Sequence, residues 1–256
     1  MPETIHSQLL SPDERPAAEV LNAGATGNLV LVCEHASAAI PQALGTLGLP
    51  ESELRGHWAW DVGVLDVATA MAAALNAPLV VSRVSRLVYD CNRPTDSPTA
   101  IVERAEHHAV TGNRDLSPED RAQRETEVYF PFRDLLTATL DARQPKALVN
   151  VHSFTPVFEG QARRVELGFL HDATPDLALG MLAAARADLR FDTRLNEPYD
   201  AADGVTHTLR THAEPRDIAN AMIEIRGDLI DQTPAAQKMA AYLTDLLRTA
   251  LATIAT

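Results

Sequence analysis

Two short aliphatic runs that each end just before a histidine constrain the fold most strongly. Residues 28–33 (NLVLVC) are followed by Glu34 and His35, and residues 146–151 (KALVNV) are followed by His152. A continuous apolar run of this length, bounded by polar residues, is typical of a strand buried on both faces of a sheet. Such strands need helices on both sides to cover them, so the sequence predicts an α/β fold.

Further segments with strand and helix patterns alternate along the chain. Apolar residues recur at helical spacing from 61 to 75, and Ser117 followed by proline predicts a long helix that ends near residue 142. The other predicted elements are strands at 79–81, 86–90, 165–170 and 221–226 and helices at 176–188 and 234–254. We therefore expect residues 28–256 to form one three-layer αβα domain around a central mixed, largely parallel sheet.

The first 27 residues carry several prolines and glycines and show no sustained periodicity. We interpret residues 1–27 as an N-terminal arm, with no apolar segment long enough for a signal peptide or a membrane span.

The chain has 22 basic and 35 acidic residues, which gives a net charge of -13. Because a phosphate backbone or an anionic bilayer would repel such a chain, we expect neither nucleic acid nor membrane as a partner.

The chain has two cysteines, Cys33 and Cys91, and both lie within apolar runs. This pattern indicates buried thiols in a reducing compartment, so the expected location is cytoplasmic. A cysteine hydrolase built on either thiol is an alternative. Burial is the commoner state of a cysteine, however, and residues two apart such as Cys33 and His35 rarely meet in the geometry of a nucleophile and its base.

Polar residues gather where the predicted strands end, and in open α/β sheets the ligand crevice lies beyond the carboxyl ends of the strands. Two imidazoles with a carboxylate and an open fourth position suit a catalytic zinc ion. A single histidine at a strand end is more often structural, but here the pattern occurs twice. These polar residues are Glu34, His35, Asp90, Asn92, Arg93, His152, Ser153, Glu224 and Arg226.

Five blocks of sequence stand in a consistent order between about residues 28 and 230. They are 32–37 (VCEHAS), 60–63 (WDVG), 85–94 (SRLVYDCNRP), 150–153 (NVHS) and 222–226 (MIEIR). Together they resemble the N-formylglutamate amidohydrolases, which are related to the zinc carboxypeptidases, succinylglutamate desuccinylases and aspartoacylases. The resemblance implies a zinc-carboxypeptidase-like domain of the phosphorylase/hydrolase type.

The resemblance also implies that His35 and His152 bind a metal ion, with zinc expected and another divalent transition metal as the alternative. The carboxypeptidase pattern has a glutamate three residues after its first histidine, where this chain has Ala38. The third ligand must therefore come from elsewhere. Asp61 is the candidate and Glu34 the alternative, while a plain helix N-cap is the competing interpretation of Asp61.

Glu224 matches the general base of the family, although an ion pair with Arg226 on an exposed strand face would also explain it. Asn92 and Arg93 match the pair that holds the carboxylate of the substrate, since a guanidinium binds a carboxylate through two parallel hydrogen bonds. Arg86 either adds a second contact or pairs with Asp90. The candidate substrate-binding residues are Arg86, Asn92, Arg93, His207, Arg210 and Arg226.

The resemblance implies a small-molecule substrate and metal-dependent hydrolysis of the N-acyl amide, formyl by resemblance, of an acidic amino acid such as N-formylglutamate. An amidohydrolase for another N-acyl amino acid or a peptide-like amide is the first alternative. Asp61 stands where histidine is typical of the family, which leaves the specificity open. A non-catalytic metal- or carboxylate-binding protein on the same scaffold is the alternative from a different class.

Overall fold

The computed structural model describes residues 8–254 of the 256-residue chain. The helices in this part are α1 (Val64–Leu75), α2 (Pro118–Arg124), α3 (Phe130–Arg143), α4 (Asp176–Asp188) and α5 (Thr233–Ile254). The strands are β1 (Ala18–Leu21), β2 (Leu29–Cys33), β3 (Leu79–Ser82), β4 (Arg104–Ala105), β5 (His108–Ala109), β6 (Ala147–Phe154), β7 (Val157–Phe158), β8 (Gln161–Ala162), β9 (Leu167–Leu170), β10 (Thr193–Leu195) and β11 (Ala219–Arg226).

Seven strands form the central sheet, in the order β1-β3-β2-β6-β11-β9-β10. The four strands β3, β2, β6 and β11 lie side by side and run parallel. At one edge β1 runs antiparallel to them, and at the other β9 pairs antiparallel with β11 and parallel with β10. This arrangement confirms the predicted mixed, largely parallel sheet.

Alternate residues of the central strands pack into two separate apolar cores. In β2, Leu29, Leu31 and Cys33 contact the core that contains α1, α4 and α5. Val30 and Val32 contact the core on the opposite face, which contains α3 and several buried loops. This alternation follows from the period of two along a strand, and it confirms a single three-layer domain with helices on both faces of the sheet.

The pairing of β6 with β11 places two candidate site residues side by side. Leu148 and Met222 pack into the core on the α3 side of the sheet. His152 and Glu224 lie an even number of residues further along the same two strands, so their side chains leave the sheet on that same side. In the parallel register Glu224 stands opposite His152.

The prediction of a strand at residues 86–90 is wrong. This segment is a turn, in which the backbone N–H groups of Val88 and Tyr89 donate to the carbonyl oxygen of Ser85 at 2.9 and 3.4 Å. Leu87, Val88 and Tyr89 are all buried. The apolar run therefore reflects the burial of a turn rather than a strand, and periodicity alone does not separate the two.

The long helix predicted to end near residue 142 contains a π-helical turn at Glu125–Tyr129 between α2 and α3. Pro131 explains the change, because it has no N–H to donate and its ring would clash with the carbonyl group four residues earlier. The N–H of Phe130 donates to the carbonyl oxygen of Glu125, one residue further back than in an α-helix.

Part of the expected N-terminal arm belongs to the central sheet. Residues 18–21 form the edge strand β1, whose Ala18 pairs with Ser82 of β3. The division of the chain at residue 27 stays a prediction.

The first turn of α1 depends on a glycine. The helix begins at Val64 rather than at residue 61, and its N-cap is Gly63 rather than Asp61. Gly63 has a φ of +78°, and a Cβ atom there would lie 2.2 Å from the carbonyl oxygen of Ile230. Both the backbone conformation and the close contact therefore favour glycine at this position.

We expect Gly63→Ala to lower the free energy of unfolding by about 1–3 kcal/mol or more, because it adds backbone strain to an overlap with Ile230. Urea unfolding measures the change. Gly24→Ala is the matched control, since a Cβ atom at Gly24 meets nothing within 4 Å. Equal stability of the two variants would contradict this account of Gly63.

Candidate active site

The carboxyl ends of β2, β6 and β11 border a cavity of about 550 Å³. Four of its lining residues, His35, Asp61, His152 and Glu224, come from four separate segments of the chain and are buried. The other lining residues are Arg86, Asn92, Arg93, Ser153, Phe158, Arg163, Pro198, Tyr199, Asp203 and Val205. The cavity lies where ligand sites of open α/β sheets occur.

His35, Asp61 and His152 bring three donor atoms to one point. His152 Nδ1 lies 3.1 Å from His35 Nδ1 and 3.0 Å from Asp61 Oδ2. His35 Nδ1 lies 3.4 Å from the same Asp61 oxygen. Among the described residues, this is the group of histidine and carboxylate side chains that could hold a metal ion.

The opposite nitrogen of each imidazole faces a second carboxylate. His35 Nε2 lies 2.8 Å from Asp90 Oδ1, and His152 Nε2 lies 3.0 Å from Glu34 Oε2. Asp90 accepts the Nε2 proton of His35 and leaves the Nδ1 lone pair of that ring directed at the shared point. Glu34 Oε2 and His152 Nε2 instead form a close ion pair without hydrogen-bond alignment. Glu34, the alternative third ligand, is thus on the far side of His152.

Glu34 and Asp90 are themselves held by several contacts. Glu34 Oε1 accepts hydrogen bonds from the Asn150 side-chain amide and the Thr208 hydroxyl. Asp90 accepts from the backbone N–H of Asn92 at 2.9 Å and from Arg86 Nη2 at 2.7 Å. These contacts hold both carboxylates in place beside the imidazole rings.

Backbone contacts position the Asp61 carboxylate. The N–H of Asp61 donates to the carbonyl oxygen of His35 at 3.0 Å, and the N–H of Ser153 donates to Asp61 Oδ2 at 3.1 Å. Burial alone would raise the pKa of Asp61, but the nearby His35 and His152 hold it well below its ordinary value. Asp61 is therefore a carboxylate at neutral pH.

The buried site is rich in negative charge. The pKa of Asp90 also lies well below its ordinary value despite its burial, because His35 and Arg86 stabilise the charged form. Burial would lower the pKa of His152, yet Glu34 and Asp61 raise it well above its ordinary value. The carboxylates thus favour positive charge at the point where the two imidazoles meet.

Glu224 is buried at the same cavity with an unsatisfied oxygen. It is 4% exposed, and within residues 8–254 its Oε2 atom has no hydrogen-bond partner. Burial, aided by the charge of Asp61, raises the pKa of Glu224 to about 7. Arg226 pairs instead with Asp228 at 2.7 Å and with Glu166 at 3.3 Å, so the ion-pair interpretation of Glu224 and Arg226 is wrong.

Arg86, Asn92 and Arg93 all line the cavity but differ in their contacts. Arg86 pairs with Asp90, and Asn92 uses both ends of its side-chain amide to hold Val205 and Thr208. Asn92 is therefore committed to the loop around it. Arg93 donates through Nε and Nη1 to Thr99, Asn92 and Gly204, and its Nη2 atom has no partner in the described part of the chain.

Three candidate substrate-binding residues do not reach the cavity. Arg210 is exposed and pairs with Asp172 at 2.7 Å. His207 Nε2 lies 2.8 Å from the hydroxyl group of Tyr129. Arg226 forms the ion pairs described above, and none of the three lines the cavity.

Sequence patterns do not identify three polar residues of the cavity wall, which are Arg163, Tyr199 and Asp203. Arg163 Nη1 donates to the hydroxyl oxygen of Tyr199 at 3.0 Å, and both residues line the cavity. The Arg163 guanidinium also lies 4.7 Å from the centre of the Phe158 ring. Arg163, Tyr199 and Phe158 lie outside the predicted strand ends, and strand ends are where the sequence predicts site residues.

Both cysteines are free and buried. Burial raises the pKa of each thiol well above its ordinary value, which disfavours the thiolate that a nucleophile requires. The cysteine-hydrolase alternative is thus unfavourable, and the cytoplasmic location stays a prediction. Among residues 8–254, no helix combines the length and apolar character needed to cross a bilayer.

Fold and site together define an α/β protein with a buried group of histidines and carboxylates at the carboxyl ends of its strands. The chain belongs to the N-formylglutamate amidohydrolase family, whose sequence pattern matches residues 27–231. No curated protein matches the chain.

Solved structures that resemble most of the chain include two with TM-scores above 0.7. A gene product of Agrobacterium tumefaciens is 45% identical over 97% of this chain and 100% of its own, with a TM-score of 0.95. The N-formylglutamate amidohydrolase of Ralstonia eutropha JMP134 is 19% identical over 91% of this chain and 97% of its own, with a TM-score of 0.72. The similarity to the Ralstonia eutropha structure shows that the two proteins share a fold.

Proposed function

We propose that this protein hydrolyses the N-acyl amide of an acidic amino acid such as N-formylglutamate, in a reaction that depends on a metal ion held by His35, Asp61 and His152. One observation carries the proposal. Three donor atoms from these residues converge on the cavity that also contains the unpartnered carboxylate of Glu224. Membership of an amidohydrolase family supports the same reaction class.

The donor set fits a zinc ion. Its atoms lie 3.0–3.4 Å apart, the separation expected of ligands about 2.0–2.1 Å from one tetrahedral ion. The carboxylates of Glu34, Asp61 and Asp90 surround the two imidazoles and would offset the charge of a dication. Two imidazoles and one carboxylate form a common catalytic zinc set, and another divalent transition metal is the alternative.

When bound, zinc supplies Lewis acidity that activates water and polarises the acyl carbonyl group. Glu224 acts as the general base and takes a proton from the attacking water through its unpartnered Oε2 atom. Its burial favours the protonated form, so Glu224 can hold that proton and then pass it to the leaving amine. Asp90 and Glu34 keep the imidazoles in the orientation that the site requires.

Arg93 is the group that we assign to the α-carboxylate of the substrate. Its Nη2 atom has no partner among residues 8–254, and Arg163 lines the same cavity. Besides Arg86, which is paired with Asp90, two guanidinium groups line this cavity, and such a pair suits a substrate with two carboxylates. Asn92 positions the backbone next to Arg93 rather than contacting the substrate itself.

The direct test is release of glutamate from N-formylglutamate by protein stripped of metal with a chelator. We expect activity to disappear and to return with about one equivalent of Zn²⁺ per chain. Glu224→Gln should keep the metal but lower kcat by about 100-fold or more, the usual scale for the loss of a general base.

Glu119→Gln is the matched control, because Glu119 is an exposed carboxylate at the start of α2. It should leave kcat unchanged. Full activity in metal-free protein would refute the metal dependence, and near-normal turnover of Glu224→Gln would make Glu224 a structural residue. A protein that binds zinc but hydrolyses no N-acyl amino acid would be a binding protein on the same scaffold.

Arg93→Lys should lower kcat/KM for N-formylglutamate by about 10-fold to 150-fold, because an ammonium group cannot form the paired hydrogen bonds of a guanidinium. Conversion of the α-carboxylate of the substrate to an amide should lower kcat/KM of the wild-type protein by a similar factor. Arg210→Lys is the control, since Arg210 lies outside the cavity. Equal effects of Arg93→Lys and Arg210→Lys would exclude the assignment.

A further inference from the structure

A second cavity of about 650 Å³ adjoins the catalytic cavity. The two cavities share five wall residues, so they adjoin at Arg86 and Asp61. The shared residues are Asp61, Arg86, Ser153, Phe158 and Tyr199. Each cavity exceeds the roughly 300 Å³ at the small end of ordinary ligand sites. Each cavity is thus large enough to hold its own part of a ligand.

The walls of the second cavity are largely aromatic and apolar. They include Trp58, Trp60, Phe154, Phe158 and Tyr199. We call this space the aromatic chamber. Trp58 and Trp60 are held by hydrogen bonds from their indole N–H groups to the backbone carbonyl oxygens of Glu53 and Arg55. The chamber is therefore a built surface rather than a chance gap between mobile side chains.

The hairpin of β7 and β8 exposes apolar side chains at this chamber. Val157 is 50% exposed and Phe158 is 41% exposed, and both line the chamber. Adjacent large apolar residues that remain open to water at a cavity mouth are typical of a ligand surface. Burial of an apolar ligand group against them would remove this surface from water.

The charges of the two cavities differ. Apart from the shared Asp61 and Arg86, the catalytic cavity has Arg93 and Arg163 in its wall, together with Asp203 and Glu224, and the two arginines suit the carboxylates of a substrate. Apart from the same two shared residues, the aromatic chamber has the acidic residues Glu106, Asp228 and Asp231 in its wall and, within the described part of the chain, no further arginine. A neutral apolar group is thus favoured in the chamber, while a further carboxylate there would meet like charge.

We propose that the aromatic chamber is a substrate subsite for a neutral group of aromatic size attached to the scissile amide. This inference rests on the proposed amide hydrolysis and names a substrate class for it: N-acyl amino acids that carry such a group on either the acyl or the amine side. The carboxylate of the substrate stays in the catalytic cavity, and the aromatic group crosses past Arg86 into the chamber.

The test compares kcat/KM within two substrate pairs that differ only by a phenyl group. N-Formylphenylalanine against N-formylalanine probes the amine side, and N-phenylacetylglutamate against N-acetylglutamate probes the acyl side. We expect the phenyl compound of one pair to be favoured by about tenfold or more, the scale expected for burial of an aromatic ring. The pair that responds identifies the side of the amide that faces the chamber.

Val157→Asp places a charge in the chamber wall at an exposed position, where it should not disturb folding. It should lower the ratio of kcat/KM for the phenyl compound to kcat/KM for its partner by about tenfold. Leu179→Asp is the matched control, because Leu179 is 44% exposed on α4 and lines neither cavity. That variant should leave both the ratio and the activity on N-formylglutamate unchanged.

N-Formylglutamate is assayed in parallel to separate this proposal from the proposed function. If N-formylglutamate is hydrolysed but neither phenyl compound is favoured by more than about twofold, the subsite is refuted and the amidohydrolase function stands. A phenyl preference that survives Val157→Asp also refutes the subsite. Hydrolysis of none of the five substrates by zinc-loaded protein would overturn both proposals.

Discussion

The parallel pairing of β6 with β11 sets His152 opposite Glu224 on the same face of the sheet. Every other part of the site is arranged around this pair. His35 arrives from the end of β2, which pairs with β6 on its other side. The next residue of β6, Ser153, holds the carboxylate of Asp61 through its backbone N–H. A shift of β6 against β11 by one residue would send His152 to the opposite face and dismantle the cluster.

The second constraint is electrostatic. Four buried carboxylates, those of Glu34, Asp61, Asp90 and Glu224, lie close to two imidazoles, and Arg86 offsets part of their charge. Buried charges are costly unless they are paired, so this cluster is unfavourable for stability alone. A dication at the point where the two Nδ1 atoms meet would balance it, which is why we regard the cluster as functional rather than structural.

Much of this site could be predicted from the sequence, because strand-end residues in an α/β sheet gather at one edge whatever the loops do. His35, His152 and Glu224 reach one cavity for that reason, whereas Asp61 lies in the loop before α1 and is predicted only from the family resemblance. Contacts between distant segments could not be predicted in this way. Arg163 and Tyr199 reach the cavity from outside the strand ends, and Arg226 turns toward Asp228 and Glu166. The turn at 86–90 has the apolar pattern of a strand because its residues are buried by the rest of the protein. Hydrophobic periodicity cannot distinguish a buried turn from a buried strand.

The central claim is that one metal ion binds between His35, Asp61 and His152 through the Nδ1 atoms of the two histidines. Anomalous diffraction at the zinc absorption edge, from crystals of protein loaded with Zn²⁺, tests it most directly. The account predicts one strong peak about 2.0–2.2 Å from His35 Nδ1, His152 Nδ1 and an Asp61 oxygen, with Asp90 and Glu34 still on the Nε2 atoms. A zinc ion bound through Nε2 of either histidine, or bound elsewhere with this cluster vacant, would contradict it.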